Sequence, residues 1–243
     1  MPRERPGPDA QRIKSKRVAW SKAWRIIASR YPPIRLFERL ASNTQVWDAL
    51  IALEEATNPR VRDEVGEIHL VPAYRRVAGP NASYIMVPFT HVNPKGSRFS
   101  NGTYGVYYAA SSLETAIRET AYHFALIAAD SKDSLRREDM RVLVGTINHV
   151  FDDANSLEET FKAAILDKNS YAVSQRFGGE RRTTESDGIF FPSVRHRNGT
   201  CVAAFWPNVV SIPVQERHLK YEWDGSKMTR YFDYQSEKWI AFE

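Results

Sequence analysis

An arginine, two adjacent tyrosines and a glutamate lie close together in one stretch of the chain, residues 96–120. Arg98 follows Gly96, and Tyr107, Tyr108 and Glu119 come later in the same stretch. A guanidinium matches phosphate oxygens in a bidentate, charge-assisted contact, and a tyrosine can stack on a flat ring or hydrogen-bond beside it. A carboxylate in a dry cleft stabilises developing positive charge. These residue types could bind and act on a ligand if the fold brings them together.

The same stretch predicts the elements that would position these side chains. Residues 101–105 carry turn-forming residues, and residues 106–110 form an apolar run rich in β-formers, which predicts a buried strand. Ser111 stands three residues before Glu114, the spacing of a capping box. Apolar residues then recur with the helical period as far as Ala128. A loop, a strand and a capped helix are therefore expected to meet in one small volume.

Glu119 has two interpretations. It lies at the edge of the apolar stripe, stacked with Thr115 and His123, so its carboxylate could face a cleft while the helix stays buried. The alternative is a solvated glutamate paired with His123 one turn on, much as Glu114 can pair with Arg118. Spacing alone favours the solvated pair, because most glutamates on helix faces do only that.

Three segments of this stretch resemble the RES-domain toxins, the toxin halves of bacterial RES–Xre toxin–antitoxin pairs. They are Gly-Ser-Arg-Phe at 96–99, Tyr-Gly-Val-Tyr-Tyr-Ala-Ala at 104–110 and Glu-Thr-Ala-Ile-Arg-Glu at 114–119. The family name records an Arg, a Glu and a Ser, so the resemblance implies functional roles for Arg98 and Glu119. The family usually has two glycines before the arginine, and Ser97 is a small departure from that pattern.

Two further segments extend the resemblance. Gly-Ile-Phe-Phe-Pro-Ser-Val-Arg at 188–195 is similar to the family segment that supplies the serine, here Ser193. Without the resemblance, Ser193 would be an unremarkable serine after a proline. Phe-Glu-Arg at 37–39 resembles the signature of the family's opening strand, which implies that Arg39 is its first arginine. The alternative for Arg39 is a surface arginine paired with Glu38 or another neighbour.

The resemblance implies an α+β fold of the ADP-ribosyltransferase type, a compact mixed sheet split around an NAD⁺ cleft and flanked by helices. It also implies cleavage of the nicotinamide–ribose bond, with water, phosphate or a protein as the acceptor, so that NAD⁺ is depleted and growth stops. Arg39 and Arg98 would clamp the pyrophosphate, and Tyr108 would contact the nicotinamide. Glu119 would stabilise the oxocarbenium-like transition state, and Ser193 would bind the ribose or a phosphate.

The location of the charge bears on two alternative functions, an RNA-cleaving toxin and a non-catalytic binding module. Residues 1–30 carry a net charge of +7, and the remaining residues carry −2. We therefore expect a basic flexible tail over residues 1–23 and one domain over residues 24–243. A nucleic-acid-binding domain should carry its basic patch on the folded body, so direct nucleic-acid binding is not expected. The joint presence of the five implied site residues argues against a non-catalytic module.

Other expectations concern partners, metals and location. The resemblance implies an Xre-like DNA-binding antitoxin that blocks the cleft. No apolar run approaches the ~20 residues of a membrane span, and no secretory signal is present, so a cytoplasmic protein is expected. The six histidines lie apart from one another and from cysteine or acidic residues at ligand spacing, which predicts no metal site. Cys201 lies in an apolar run and is expected to be a small buried hydrophobe.

The rest of the chain predicts a mixture of strands and helices without regular βαβ alternation. Helices are expected at 18–29, 44–55, 155–168 and 171–177, and strands at 34–40, 68–72, 83–89, 140–147, 189–195, 200–206 and 209–214. A hairpin is expected at Asp224-Gly225. Residues 136–139 are predicted to be a connector and residues 178–182 a mobile loop. Residues 58–95 have no assigned role.

Overall fold

The protein is described here by a computed structural model that covers residues 13–30, 37–40, 42–55, 60–131 and 134–242. These residues form a mixed α+β fold around one eight-stranded sheet. The strands are β1 (Lys14–Ala28), β2 (Tyr107–Ala110), β3 (Arg136–Asp153), β4 (Gly188–Pro192), β5 (Thr200–Ala204), β6 (Val214–Trp223), β7 (Met228–Asp233) and β8 (Lys238–Ala241). The α-helices are α1 (Trp47–Glu55), α2 (Arg60–Val65), α3 (Ser83–Thr90), α4 (Leu113–Ser131), α5 (Glu159–Ile165) and α6 (Ala172–Thr183).

The sheet divides along its longest strand, β3. Its order is β1-β2-β5-β4-β3-β6-β7-β8, and β1 also pairs with β3, so that five strands close into a ring. One edge of β3 pairs with β1 along most of its length, while the other edge pairs first with β6 and at its end with β4. The β3–β4 pairing is parallel and all the others are antiparallel. The expected mixed sheet is therefore present.

Helix α4 packs on one face of this sheet with the apolar stripe that its sequence predicts. The buried residues of the stripe are Ala116, Ile117, Ala121, Phe124 and Ala128. Its cap lies one residue later than expected, because Ser112 Oγ accepts a hydrogen bond from the Thr115 amide at 3.2 Å. The expected pair of Glu114 and Arg118 is present, at 3.1 Å. Residues 118–120, at the edge of the stripe, are only partly buried.

Strand β1 corrects two expectations for the N-terminal region. Residues 14–28 form a strand that pairs with β3, so residues 14–23 are not a flexible tail and residues 18–28 are not helical. The aromatic and β-branched residues of this segment suit a sheet, and Val18, Trp24 and Ile26 are buried in it. The domain therefore begins no later than Lys14, and residues 1–12 lie outside the described residues.

Several short segments also differ from expectation. Residues 83–89 lie in helix α3, residues 68–70 form a 3₁₀ turn, and residues 207–209 form another before β6 begins at Val214. Short apolar runs suit a buried helix as well as a buried strand, and only tertiary packing decides between them. The presumed connector at 136–139 lies in β3, and the presumed loop at 178–182 lies in α6.

The remaining expectations have mixed outcomes. The expected helix at 44–55 is confirmed as a 3₁₀ turn followed by α1, and the strands at 140–147 and 200–206 correspond to β3 and β5. The hairpin at Asp224-Gly225 joins β6 to β7.

Other expected elements are present with different bounds. The expected helix at 155–168 is confined to a 3₁₀ turn and α5, whereas that at 171–177 extends through α6. The strand expected at 189–195 is β4, which ends at Pro192. Residues 37–40 form a turn, and residues 34–36 of the strand expected there lie outside the described residues.

Candidate functional site

Glu119 and Ser193, which are 74 residues apart, are in direct contact. Ser193 Oγ donates a hydrogen bond to Glu119 Oε1 at 2.5 Å. Ser193 Oγ also accepts hydrogen bonds from the backbone amides of Arg195 at 3.2 Å and His196 at 2.9 Å. Because these amides occupy the acceptor side of the hydroxyl, its proton is directed at the carboxylate. This contact favours a cleft position for Glu119 over that of a solvated glutamate paired with His123.

The hairpin that carries Ser193 is fixed to the first turn of α4. His196 Nδ1 lies 2.8 Å from Thr115 Oγ1, and Thr115 is fully buried. Gly199, on the same hairpin, approaches so closely that a Cβ there would lie 2.7 Å from Thr115 Oγ1. Glu119 is one turn along α4 from Thr115. The clamp between His196 and Thr115 therefore sets the position of Ser193 relative to Glu119.

Tyr108 holds the loop that carries Arg98. The Tyr108 hydroxyl accepts a hydrogen bond from the Phe99 amide at 3.0 Å and lies 2.9 Å from Ser97 Oγ. Burial raises the pKa of Tyr108 to about 12, so the hydroxyl is neutral at physiological pH. In this state the hydroxyl serves to position the arginine loop, and the half-buried ring forms part of the surface beside it.

Arg98 is buried, with only 7% of its surface exposed. Its Nη1 donates hydrogen bonds to the carbonyls of Ile165 at 3.2 Å and Asp167 at 2.8 Å. The guanidinium also lies 4.6 Å from the centre of the Tyr171 ring. Within the described parts of the chain no carboxylate forms an ion pair with Arg98, so its positive charge remains available to an anionic ligand.

Arg98 and Glu119 act in opposite directions on the pKa of the same two side chains, Cys201 and His123. Burial raises the pKa of Cys201 on β5 well above its usual range; the Glu119 carboxylate adds to this effect and Arg98 opposes it. The pKa of His123 is lowered, mainly by desolvation and further by Arg195 and Arg98, against the opposing effect of Glu119. As expected, Cys201 is buried. We call Glu119, Ser193, Arg98 and Tyr108 the Glu119 cluster.

A second arginine at the cluster was not among the expected site residues. The Arg195 guanidinium lies 3.4 Å from the centre of the Tyr122 ring, and its Nη2 donates to the Lys168 carbonyl at 2.6 Å. Arg195 thus ties the serine hairpin both to α4 and to the segment after α5. The sequence did contain a signal for Arg195, because it is the last residue of the Gly-Ile-Phe-Phe-Pro-Ser-Val-Arg segment. Thr115 and His196 had no comparable signal, because their contact is purely tertiary.

Comparison with known proteins identifies the family of the chain. The RES domain family matches residues 72–224, which is more than half of the chain. The chain belongs to the RES domain family. The uncharacterized protein y4oC of Sinorhizobium fredii is 26% identical over 208 residues, which cover 85% of this chain and 84% of the relative. The crystal structure of the M. tuberculosis MbcT–MbcA toxin–antitoxin complex matches with a TM-score of 0.42 and 8% identity, covering 84% of this chain and 85% of that chain.

The matched RES segment contains the whole Glu119 cluster. It runs from before α3 to the end of β6, so β1 and the β7–β8 hairpin complete the sheet from outside the match. The family resemblance expected from the motifs is thereby confirmed. Arg39 lies outside the matched residues.

Arg39 has no contact with the Glu119 cluster among the described residues, and its expected role in the site stays a prediction. Its side chain is 70% exposed, and its Nη2 lies 3.6 Å from Glu64 Oε2 on α2. The neighbouring residues anchor the segment, since Phe37 packs on Trp47 and Glu38 accepts hydrogen bonds from Ser83. The described contacts of Arg39 are thus those of a surface arginine paired with a neighbour, which was the alternative interpretation.

Among the described residues no helix is both long and apolar enough to cross a membrane. In the same parts of the chain, no group of three or more His, Cys, Asp or Glu side chains is arranged to hold a metal ion.

Proposed function

We propose that this RES-domain protein is the toxin of a bacterial toxin–antitoxin pair and cleaves the nicotinamide–ribose bond of NAD⁺ in an ADP-ribosyltransferase-like fold. The observation that carries the proposal is the contact between Ser193 and Glu119, which joins the Ser and Glu of the family pattern beside its Arg. Arg98 contributes a buried cation that has no ion pair among the described residues, and it acts on the pKa of the same buried cysteine as Glu119. Family membership supports the proposal independently of this geometry.

The chemistry requires one carboxylate. The bond from the ribose anomeric carbon to the pyridinium nitrogen breaks, and its electron pair goes to that nitrogen, so neutral nicotinamide leaves without being protonated. Glu119 stabilises the oxocarbenium-like charge left on the ribose, and Ser193 holds the carboxylate in one orientation. An acceptor oxygen then bonds to the anomeric carbon and loses its proton. Water, phosphate and a protein side chain all satisfy this balance.

Arg98 is the residue of the cluster suited to the pyrophosphate of NAD⁺. A guanidinium presents paired donors that match phosphate oxygens, and Arg98 already uses Nη1 for two backbone carbonyls. The carbonyl contacts fix the direction of the guanidinium before the substrate arrives. We propose no role in this clamp for Arg39, which is exposed and bound to Glu64.

The proposed partner is an Xre-like DNA-binding antitoxin that covers the Glu119 cluster. This part of the proposal rests on family membership. Co-expression with the product of the adjacent gene should give a complex in which NAD⁺ cleavage is suppressed.

The direct test is release of nicotinamide from NAD⁺ by the purified protein, with and without added phosphate. Release of nicotinamide supports the proposal, and the ADP-ribosyl product identifies the acceptor. Absence of release with water, phosphate and a cell lysate containing labelled NAD⁺ would contradict it. Cleavage of RNA in the absence of NAD⁺ would instead support the RNase alternative.

Replacing Ser193 by alanine should lower kcat for nicotinamide release by about tenfold, with little change in KM. The variant removes the hydroxyl that orients Glu119, and one hydrogen bond to a charged group contributes about 1.5–3 kcal/mol. Ser111→Ala is a matched control, because Ser111 Oγ accepts from Thr200 Oγ1 and has no contact with Glu119 among the described hydrogen bonds. A rise in KM at unchanged kcat would show that Ser193 binds substrate instead.

Thr115→Val should also reduce turnover although Thr115 does not face the substrate. The variant keeps the side-chain shape but leaves His196 Nδ1 without its partner at 2.8 Å, which costs about 1–3 kcal/mol and loosens the serine hairpin. Initial rates should show a lower kcat, and Thr115→Ser, which retains the hydroxyl, should restore most of it. Equal losses in the valine and serine variants would contradict a positioning role for this hydrogen bond.

A further inference from the structure

Two arginines from different parts of the chain are held by one short segment, residues 165–168. Arg98 donates a hydrogen bond to the Asp167 carbonyl at 2.8 Å. Arg195 donates a hydrogen bond to the carbonyl of the next residue, Lys168, at 2.6 Å. The Cα atoms of consecutive residues are about 3.8 Å apart. The two guanidinium groups are therefore anchored at neighbouring carbonyls of the same segment.

Each guanidinium also lies against an aromatic ring. Arg98 is 4.6 Å from the centre of the Tyr171 ring, and Arg195 is 3.4 Å from the centre of the Tyr122 ring. Stacking on a ring holds the plane of a guanidinium and leaves N–H groups at its edges free. Tyr122 comes three residues after Glu119 on α4, the spacing of neighbouring side chains on one helix face. Arg195 is thus held beside the helix face that carries Glu119.

Neither guanidinium has an acidic partner among the described residues. Arg98 and Arg195 form no ion pair there, although only 7% of the surface of Arg98 is exposed. Asp167 holds Arg98 through its carbonyl, while its carboxylate accepts hydrogen bonds from the amides of Asn169 at 2.6 Å and Ser170 at 3.0 Å. Because buried charges are ordinarily paired, two cations anchored together without a carboxylate indicate an anionic ligand.

The remaining donors of both arginines are open to a ligand. Arg98 Nε and Nη2, and Arg195 Nε and Nη1, make no hydrogen bond within the described parts of the chain, and none is among the enclosed side-chain atoms that lack a partner. The same is true of Glu119 Oε2, the carboxylate oxygen that Ser193 does not contact. Nε and Nη2 of Arg98 form the paired edge that matches two oxygens of one phosphate group.

We infer that Arg195 is the second arginine of the clamp for the pyrophosphate of NAD⁺, an inference that rests on the function proposed for the Glu119 cluster. Arg98 holds one phosphate group and Arg195 the other. A pyrophosphate diester carries one negative charge on each phosphate group, and two guanidiniums match this number. The Arg195 amide also donates to Ser193 Oγ at 3.2 Å. Binding of the pyrophosphate therefore stabilises the hairpin that orients Ser193 toward Glu119.

The test is equilibrium binding of ADP-ribose to the purified full-length protein by titration calorimetry. ADP-ribose contains the pyrophosphate but not the nicotinamide bond, so its affinity does not depend on turnover. Arg195→Lys, which keeps the charge without the paired donors, should raise Kd by about tenfold. Arg195→Met, which keeps an aliphatic stem, should raise Kd by about 10–100-fold, as expected for the loss of a hydrogen bond between charged groups.

Arg197→Met is the matched control. Arg197 is exposed on the same hairpin as Arg195, so the variant removes the same charge without removing a group held at the site. Its Kd for ADP-ribose should equal that of wild type. An equal loss of affinity in Arg197→Met and Arg195→Met would assign the effect to net charge and overturn the inference.

Three other results would also overturn it. One is the absence of ADP-ribose binding by wild type, and another is an unchanged Kd in both Arg195 variants with a lower kcat for nicotinamide release, which would make Arg195 a positioning residue for Ser193. The third is a higher KM for added phosphate at unchanged Kd for ADP-ribose, which would place the acceptor at Arg195. Binding of ADP-ribose that depends on Arg195, without release of nicotinamide from NAD⁺, would support the clamp and contradict only the proposed cleavage.

Discussion

Glu119→Gln should abolish most of the release of nicotinamide from NAD⁺, with kcat lower by about 10²–10³-fold, the loss typical of removing one preorganised electrostatic group. Glutamine keeps the shape of the side chain and can still accept the hydrogen bond that Ser193 donates at 2.5 Å. The fold should therefore be retained, and only the negative charge opposite the oxocarbenium ion is lost. Steady-state kinetics should show the effect in kcat, with KM within a few-fold of wild type.

Glu114→Gln is the matched control for this experiment. Glu114 lies on the same helix and is exposed. Its Oε1 pairs with Arg118 at 3.1 Å and lies 3.4 Å from His196 Nε2, and the contact of His196 Nδ1 with Thr115 does not involve it. An exposed pair of this kind contributes little to stability, so the control should retain both activity and Tm. If Glu119→Gln kept wild-type turnover while folded, the proposed function of the cluster would be wrong.

Arg98→Lys should have the second largest effect, a loss of NAD⁺ affinity of about 10–100-fold. Lysine keeps the positive charge but cannot present the guanidinium's paired donors to a pyrophosphate. It also cannot reproduce the hydrogen bonds to the Ile165 and Asp167 carbonyls, so stability should fall by about 1–3 kcal/mol. Equilibrium binding of NAD⁺ to Glu119→Gln, with and without Arg98→Lys, separates affinity from turnover.

Arg39→Lys is the control for Arg98→Lys, because the motif resemblance assigned both arginines to one clamp. Arg39 is 70% exposed and its partner is Glu64, so the variant should bind NAD⁺ as wild type does. Unchanged NAD⁺ affinity in Arg98→Lys together with a loss of affinity in Arg39→Lys would contradict both expected results.

The motifs of the Glu119 cluster were readable from the sequence because each combines local structure with a specific residue pattern. The run 106–110 and the periodic helix behind it correspond to β2 and α4. Arg98, Tyr108 and Glu119 stand on or beside these elements, and Ser193 follows a recognisable strand, β4. The family pattern predicts that these four residues lie close together, but it does not predict the hydrogen bonds that they form.

Predictions from local sequence pattern were wrong where the same residues suit more than one type of secondary structure. Residues 14–28 have aromatic residues at roughly helical spacing, yet their pairing with β3 makes them a strand. Residues 83–89 were predicted to form a strand, but they lie in helix α3. In both segments the free energy is set by burial against distant elements, which a local window does not contain. The short Phe-Glu-Arg motif at 37–39 likewise has contacts with α2 and α3 that its local pattern does not predict.

The sequence by itself determined the family, the residue types of the cluster and the two elements that carry most of it. Only the tertiary structure decided that Ser193 donates to Glu119, that Thr115 and His196 fix this contact, and that Arg39 pairs with Glu64. Hydrogen bonds between residues far apart in the chain depend on how strands pair and helices pack, and no local pattern encodes those distances.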